Sequence, residues 1–234
     1  MKLGIIGAMQ VEVETLVAIL ENMQAYDHAG SRFYTGKLSG VDAVVVQCGV
    51  GKVNAAMCAQ IMCSVFEVTH LVNTGVAGSL CNDLDIGDIL VSVDAMHHDF
   101  DCSPMGYTPG QIPGLNTRAF PADEKLSDLA FEAAEQVNPG HTKRGRVASG
   151  DQFIAGKEIK EKIVAITGAQ CTEMEGAAIA QVAYRNGVPY AILRAISDKA
   201  DDSAEMDYPT FECIAAKRCA KVVMTLAELL NGCK

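Results

Sequence analysis

Three carboxylates and one arginine carry the chemistry this chain could perform. Glu12, Glu175 and Asp198 each stand just past a run of apolar residues, and Arg194 stands inside one, AILRAISD at 191–198. A buried arginine needs an anionic partner or a ligand. Glu175 directly precedes an alanine-rich stretch over 176–186, where an unpaired charge would be costly. An aspartate at the carboxyl end of a central strand sits where open α/β proteins bind ligands. If the strands run mostly parallel, all three carboxylates face one crevice. One ionised carboxylate can then activate water. Another, pushed up by burial and like charge, can stay protonated and act as an acid. That combination suits acid–base chemistry on an uncharged substrate.

The elements that must hold these groups are legible as an alternation. Apolar runs at 3–6, 43–48, 70–73, 87–93, 145–149 and 190–196 read as strands. Between them lie helical patterns. One follows Gly7 and carries Val13, Leu16, Val17 and Leu20. A second, over 52–66, sets Val53, Met57, Ile61 and Val65 on one face. A third, over 176–186, stops at Asn186-Gly187, and a long terminal one covers 210–230 with Phe211, Ile214, Val222, Leu226 and Leu229. Continuous apolar strands alternating with helices predict an α/β fold whose sheet is covered on both faces. FYTGKL, Ser39-Gly40 and VDAVVVQ read as a hairpin, so the sheet is expected to be mixed. One domain over 1–234 is expected at this length.

Several motifs invite other readings. LGIIGAMQVEVETL at 3–16 is a strand, a tight turn and a helix, but the turn has one glycine, Gly7, and is followed by Glu12 and Glu14 where a phosphate cradle would be. GVGKVN at 49–54 fails as a P-loop, because Val53 follows Lys52 and Val46 stands where the first glycine belongs. It reads better as a strand-to-helix turn with backbone close to a ligand. NTGVAG at 73–78 is a turn in which Gly75 and Gly78 would let the backbone approach a ligand. The aromatic in SGDQF at 149–153 either stacks on a flat ring or joins the core. In TEMEGAA, alternation would put Glu173 and Glu175 on one face of an extended chain. Adjacent His97 and His98 point to opposite faces of an extended chain, so HHDFD is read as a strand end and no metal site is expected.

Composition narrows the function classes. With 19 Lys+Arg against 29 Asp+Glu the net charge is −10, which argues against nucleic-acid and anionic-membrane partners. Nine cysteines in a chain of this size, without a CxxC, read as reduced thiols of a cytoplasmic protein. No run approaches the roughly 20 apolar residues of a membrane span. The stretch 97–121 holds four of the seven prolines. A connection that long is expected to be functional or to belong to an interface.

In order, GIIGAMQVEVETL, GVGKVNAA, NTGVAG, SGDQFI, EMEGAAIA and RAISDKAD resemble the 5′-methylthioadenosine/S-adenosylhomocysteine nucleosidases over essentially the whole chain. The resemblance implies a three-layer α/β/α fold with a central mixed sheet, nucleoside phosphorylase-like, a homodimer and no cofactor. It implies irreversible hydrolysis of the adenine–ribose bond of a small nucleoside. Carried over by motif, Glu12 activates water, Asp198 in the Ser197-Asp198 step protonates adenine N7, Glu175 with Met174 holds the ribose, and Arg194 helps place the water. Phe153, Ile154 and Gly78 grip adenine. Met9, Val50 and Tyr208 line the 5′-alkylthio pocket, and Met105 and Pro113 complete that pocket in the neighbouring subunit. Val76 stands where the family usually has Ser or Thr, which removes one hydrogen bond near the sugar or water. Met105 stands where an aromatic is common. The alternatives are a purine nucleoside phosphorylase, an aminodeoxyfutalosine hydrolase and a non-catalytic nucleoside-binding module. The first needs a phosphate-binding arginine near 10–24, where there is none.

Overall fold

The computed structural model describes residues 1–232. Its strands are β1 (Lys2–Gly7), β2 (Glu21–His28), β3 (Ser31–Leu38), β4 (Val41–Gln47), β5 (His70–Ser79), β6 (Ile89–His97), β7 (Phe120–Pro121), β8 (Thr142–Ser149), β9 (Cys171–Glu173) and β10 (Tyr190–Asp198). Its helices are α1 (Gln10–Ala18), α2 (Lys52–Ser64), α3 (Glu124–Val137), α4 (Lys157–Thr167), α5 (Gly176–Asn186) and α6 (Ala204–Gly232). The sheet is mixed, as expected, and β3 and β4 form the predicted hairpin.

β5 organises the sheet. It pairs with β10 along one side, and on the other with β1 near its start and β9 at its end. β10 leads to β6, β6 to β8 and β8 to β9, so β5, β10, β6, β8 and β9 close into a ring. β1, β4, β3 and β2 extend from β5 as an open sheet. α1, α3 and α6 cover one face around Leu16, Ala130, Cys219 and Leu226. α2 and α5 cover the other around Ala55, Met62, Ala177 and Ile179. The result is three layers with an apolar core on each side of the sheet.

Three expectations give way to the structure. NTGVAG is not a turn: β5 runs straight through it, because β10 pairs with every residue from Leu71 to Gly78 and leaves no amide in need of a turn. The buried face of α2 is not the valine face. Ala55, Cys58, Ala59 and Met62 are buried, while Val53 is 79% and Val65 52% exposed. Small residues let α2 approach β1 and α5 closely, which turns the larger side chains outward. Finally, α6 begins at Ala204, ahead of Pro209, and not at residue 210. A proline this close to a helix start disturbs few backbone bonds.

Candidate active site

A single cleft collects the chain segments that follow β1, β4, β8, β9 and β10, together with the far end of β5. It brings together Met9, Glu12, Val50, Val76, Gly78, Phe153, Ile154, Met174, Glu175, Arg194, Ser197, Asp198 and Tyr208. Convergence of the three carboxylates therefore holds, and β1 and β10, which lead to Glu12 and Asp198, run parallel to β5 as expected, but the strand leading to Glu175 does not. β9 runs antiparallel to β5, and its short crossing at Gly78 and Thr172 carries Glu175 to the cleft. Met105 and Pro113 lie outside this chain's cleft, on the 97–121 connection.

Glu12 sits at the third position of α1, and its carboxylate folds back over the helix start. Oε2 accepts the backbone N–H of Ala8 at 2.7 Å and of Met9 at 2.9 Å. Oε1 accepts the N–H of Val76 at 3.1 Å. The acid in the first turn thus occupies amides that a phosphate would otherwise use. Burial raises its pKa; the Arg194 charge and the three amides oppose this without cancelling it. Gly75 explains how the carboxylate reaches β5: a Cβ there would collide with both Glu12 and Arg194. Its small size serves side chains of the protein itself. At Gly78 a Cβ would lie 2.7 Å from Asp198 Oδ1 and 2.9 Å from Ala200 Cβ, so the bare backbone is needed beside the aspartate.

Arg194 is fully buried on β10, and its guanidinium is already engaged. It donates to Glu173 Oε2, to Asn73 Oδ1 and, at 3.2 Å, to the carbonyl of Val76. It lies 3.7 Å from Glu175. Burial pulls its pKa down, but the charges of Glu173, Glu175 and Glu12 reverse this and raise it. Glu175 stands immediately before α5, and its side chain leaves the helix amides alone and accepts the Gly51 N–H at 2.9 Å. The GVGKVN segment is thus a turn whose glycines, at φ 86° and 99°, aim a backbone amide at the cleft. Burial, then the neighbouring Glu173 charge, pushes Glu175 up to about 7 against the pull of Arg194 and the Gly51 amide.

Asp198 ends β10. Its Oδ1 accepts the Ala200 N–H at 2.8 Å and its Oδ2 the Ser197 hydroxyl at 2.9 Å. Burial raises its pKa, those two hydrogen bonds work against it, and Asp207 and Asp201 reinforce it. At the mouth, Phe153 is half exposed and so is not a core residue. Tyr208 meets its edge with ring centroids 5.4 Å apart, and the Tyr208 hydroxyl donates to Met9 Sδ at 3.2 Å. The cleft is therefore charged at its base and apolar at its mouth.

Sequence reasoning had noticed Glu173 but did not place it in the site. The signal was present, since a buried arginine requires a counter-ion and Glu173 is the carboxylate that supplies it. Asn73 and Ser149 were missed altogether; both are buried polar residues of strands that pair with Arg194 or Glu173. His97 and His98 are buried beyond this network, and His97 Nε2 meets Gln181 Oε1 at 3.0 Å. Among the described residues no group of three or more His, Cys, Asp or Glu side chains is placed to hold a metal. Eight cysteines in the described residues are free. No helix among those residues is long and apolar enough to cross a membrane.

The ring of strands and its carboxylate-lined cleft define a class, and the sequence pattern of the phosphorylase superfamily matches residues 2–228. Within that superfamily the chain belongs to the family of 5′-methylthioadenosine/S-adenosylhomocysteine nucleosidases. It is 39% identical to the nucleosidase of that name from Geobacillus thermodenitrificans, over 99% of this chain and 98% of the relative. The crystal structure of the Neisseria meningitidis nucleosidase in complex with methylthio-immucillin-A is similar with a TM-score of 0.94 and 34% identity, covering 97% of this chain and 99% of that one. The native structure of a futalosine hydrolase from Helicobacter pylori is also similar, with a TM-score of 0.92 and 34% identity over 97% of each chain.

Proposed function

We propose that the protein hydrolyses the N-glycosidic bond of 5′-methylthioadenosine and S-adenosylhomocysteine, releasing adenine and the 5-thio-ribose. The observation that carries this reading is the state of Arg194. Among the described residues it is the one cation lining the cleft, and Glu173, Asn73 and the Val76 carbonyl already engage it. A phosphate nucleophile would find that cation's charge already matched by Glu173, whereas water needs only a base. Glu12 is that base. Its carboxylate is fixed by three amides, and burial makes it more basic.

Asp198, made a weaker acid by burial, holds a proton and delivers it to adenine N7 as the bond from N9 to C1′ breaks. Positive charge develops on the ribosyl ring and is stabilised by the neighbouring carboxylates. Water attacks C1′ and gives its proton to Glu12. Glu175 binds the ribose hydroxyls with Met174 beneath the sugar, and Arg194 orients the water. Phe153 packs on the adenine ring, with Gly78, Ile154 and Ser197 around it. Met9, Val50 and Tyr208 face the sulfur-bearing side, where an apolar mouth suits a thioether, and Val76 lies beside the sugar and the water held by Glu12.

The working form in this reading is a homodimer. The outward face of α2 bears Val53, and beside it a groove is lined by Ala56, Phe100, Ile112 and Val182. Met105, 72% exposed on the adjoining connection, and Pro113 would complete the partner's 5′ pocket. Adenine release from methylthioadenosine, S-adenosylhomocysteine and aminodeoxyfutalosine, each with and without phosphate, tests the assignment. Release from the first two at a rate indifferent to phosphate is expected. Turnover of aminodeoxyfutalosine alone would move the assignment to the second reading, which the likeness to a futalosine hydrolase supports. Turnover only with phosphate would overturn hydrolysis.

A further inference from the structure

Three buried carboxylates face one buried cation at the base of the cleft, and they do not share it equally. Glu173 is fully engaged. Its Oε1 accepts the Ser149 hydroxyl and the Gly176 N–H at 3.0 Å. Its Oε2 accepts the N–H groups of Glu175 at 3.0 Å and Gly176 at 2.8 Å, and the Arg194 guanidinium. Ser149 in turn accepts the Ala177 N–H at 2.7 Å. The start of α5 therefore donates its free amides to Glu173, as helix starts do to anions. A Cβ on Gly176 would lie 3.0 Å from Glu173 Oε1, so the glycine keeps that approach open. Every oxygen of Glu173 points at protein partners, and none is left for a substrate.

We propose that Glu173 is a positioning residue of this site: it anchors Arg194 to the start of α5 and takes up the arginine's charge, so that Glu12 and Glu175 remain able to accept protons. The inference rests on the hydrolytic reading above. Without Glu173, Arg194 would face Glu12 from β10 and Glu175 from the start of α5 with no competing anion. Both carboxylates would then be held ionised more strongly. For Glu175 the loss of a like charge acts in the same direction.

The other groups packed around the cluster do not supply a compensating charge. The Cys48 thiol, after β4, and the Cys171 thiol, on β9, are pushed up by burial and stay neutral, as does the Tyr208 hydroxyl on α6. On and just past β6, burial lowers the pKa of His97 and His98. Lys52, at the start of α2, is paired with Asp99 at 2.5 Å. Asp198 takes its hydrogen bonds from Ser197 and Ala200, outside the Glu173 network.

The test is the pH profile of kcat/KM for adenine release by Glu173→Gln. Glutamine can still accept from Arg194 and Gly176 but carries no charge. The acidic limb, which reports the base, is expected to move down by about one pH unit, the effect of one nearby charge. The alkaline limb, which reports Asp198, is expected to stay. Glu173→Asp keeps the charge on a shorter arm; it is expected to lower kcat while leaving the acidic limb near its wild-type position, and it serves alone if the glutamine variant does not fold. An acidic limb unmoved in Glu173→Gln, or moved in Glu173→Asp, overturns the proposal. Wild-type protein that releases no adenine at all fails the hydrolytic reading instead, before either variant is compared.

Discussion

The base of the cleft and the 97–121 connection are built on opposite principles. At the base, charged side chains are buried and each is met by main-chain amides or a counter-ion: Glu12 by three N–H groups, Glu173 by two helix-start amides and Arg194. On the connection, Met105 reaches outward while Ile112 and Leu115 pack on the core, and the main chain is pinned at intervals, as where Arg118 donates to the carbonyls of Pro109 at 2.8 Å and Ile166 at 3.1 Å. The base is complete within one chain. The connection presents Met105 to solvent and contributes no residue to its own subunit's cleft. The chemistry is thus assembled within one chain, whereas in the proposed dimer the wall of the 5′ pocket is completed by a second copy.

Substitutions at the base should act on chemistry, and the sharpest is Glu12→Gln. It keeps the shape and the amide contacts to one oxygen but removes the base. Turnover is expected to fall by roughly 10²–10⁴-fold with substrate binding retained, measured by steady-state adenine release and by calorimetric titration. Turnover near the wild-type value would remove Glu12 from the role of base.

Asp198→Asn should cost a comparable factor on methylthioadenosine, because asparagine can bond to N7 but cannot transfer a proton. A nitrophenyl riboside with the same 5′-methylthio group needs no protonation to leave. The variant should therefore lose far less on that substrate. Equal losses on both would make Asp198 a binding residue.

The proposed dimer face, formed by α2 and the connection, should respond differently. Val53→Asp places a charge on the outward face of α2, where Val53 is 79% exposed. It is expected to shift sedimentation toward monomer and to raise KM for methylthioadenosine about tenfold, the effect of roughly 1.4 kcal/mol lost from a pocket wall. A monomer with unchanged KM would show that the two regions are not divided between subunits.

The smallest effect concerns stability. Glu175 has its pKa raised to about 7 in the folded protein, chiefly by burial. Between its ordinary value of about 4.5 and 7 the folded state binds more protons than the unfolded state, so this group's contribution to stability falls as pH rises. Glu175→Gln removes that loss and can keep the bond from Gly51. Its melting temperature is expected to exceed that of the wild type by a few degrees at pH 8 and to match it near pH 5. A lower melting temperature at pH 8 would mean that the Arg194 charge outweighs the burial cost.

Much of this was legible in the sequence because the signals were local. Gly187, at φ 66°, ends α5 where Asn186-Gly187 predicted a stop. Glu12, Glu175 and Asp198 could be singled out because each carries charge next to an apolar strand. What was not legible depended on pairing partners distant in sequence. β2, ENMQAYDH, is almost wholly exposed and carries no apolar alternation; its pairing with β3 makes it a strand. β9 has only three residues, too few to show a period, yet it closes the ring. The fate of Arg194 had the same cause. Its need for an anion was readable, but that Glu173 would meet it depends on how β9 and β10 come together through β5.

The central claim is that water, activated by Glu12, is the nucleophile. It is tested most directly by running the reaction on methylthioadenosine in ¹⁸O-labelled water with phosphate present, and reading the sugar product by mass spectrometry. The expected product is methylthioribose carrying one ¹⁸O at C1, with no sugar phosphate formed. A methylthioribose 1-phosphate product, or a free sugar without label at C1 once solvent exchange is corrected for, would contradict it.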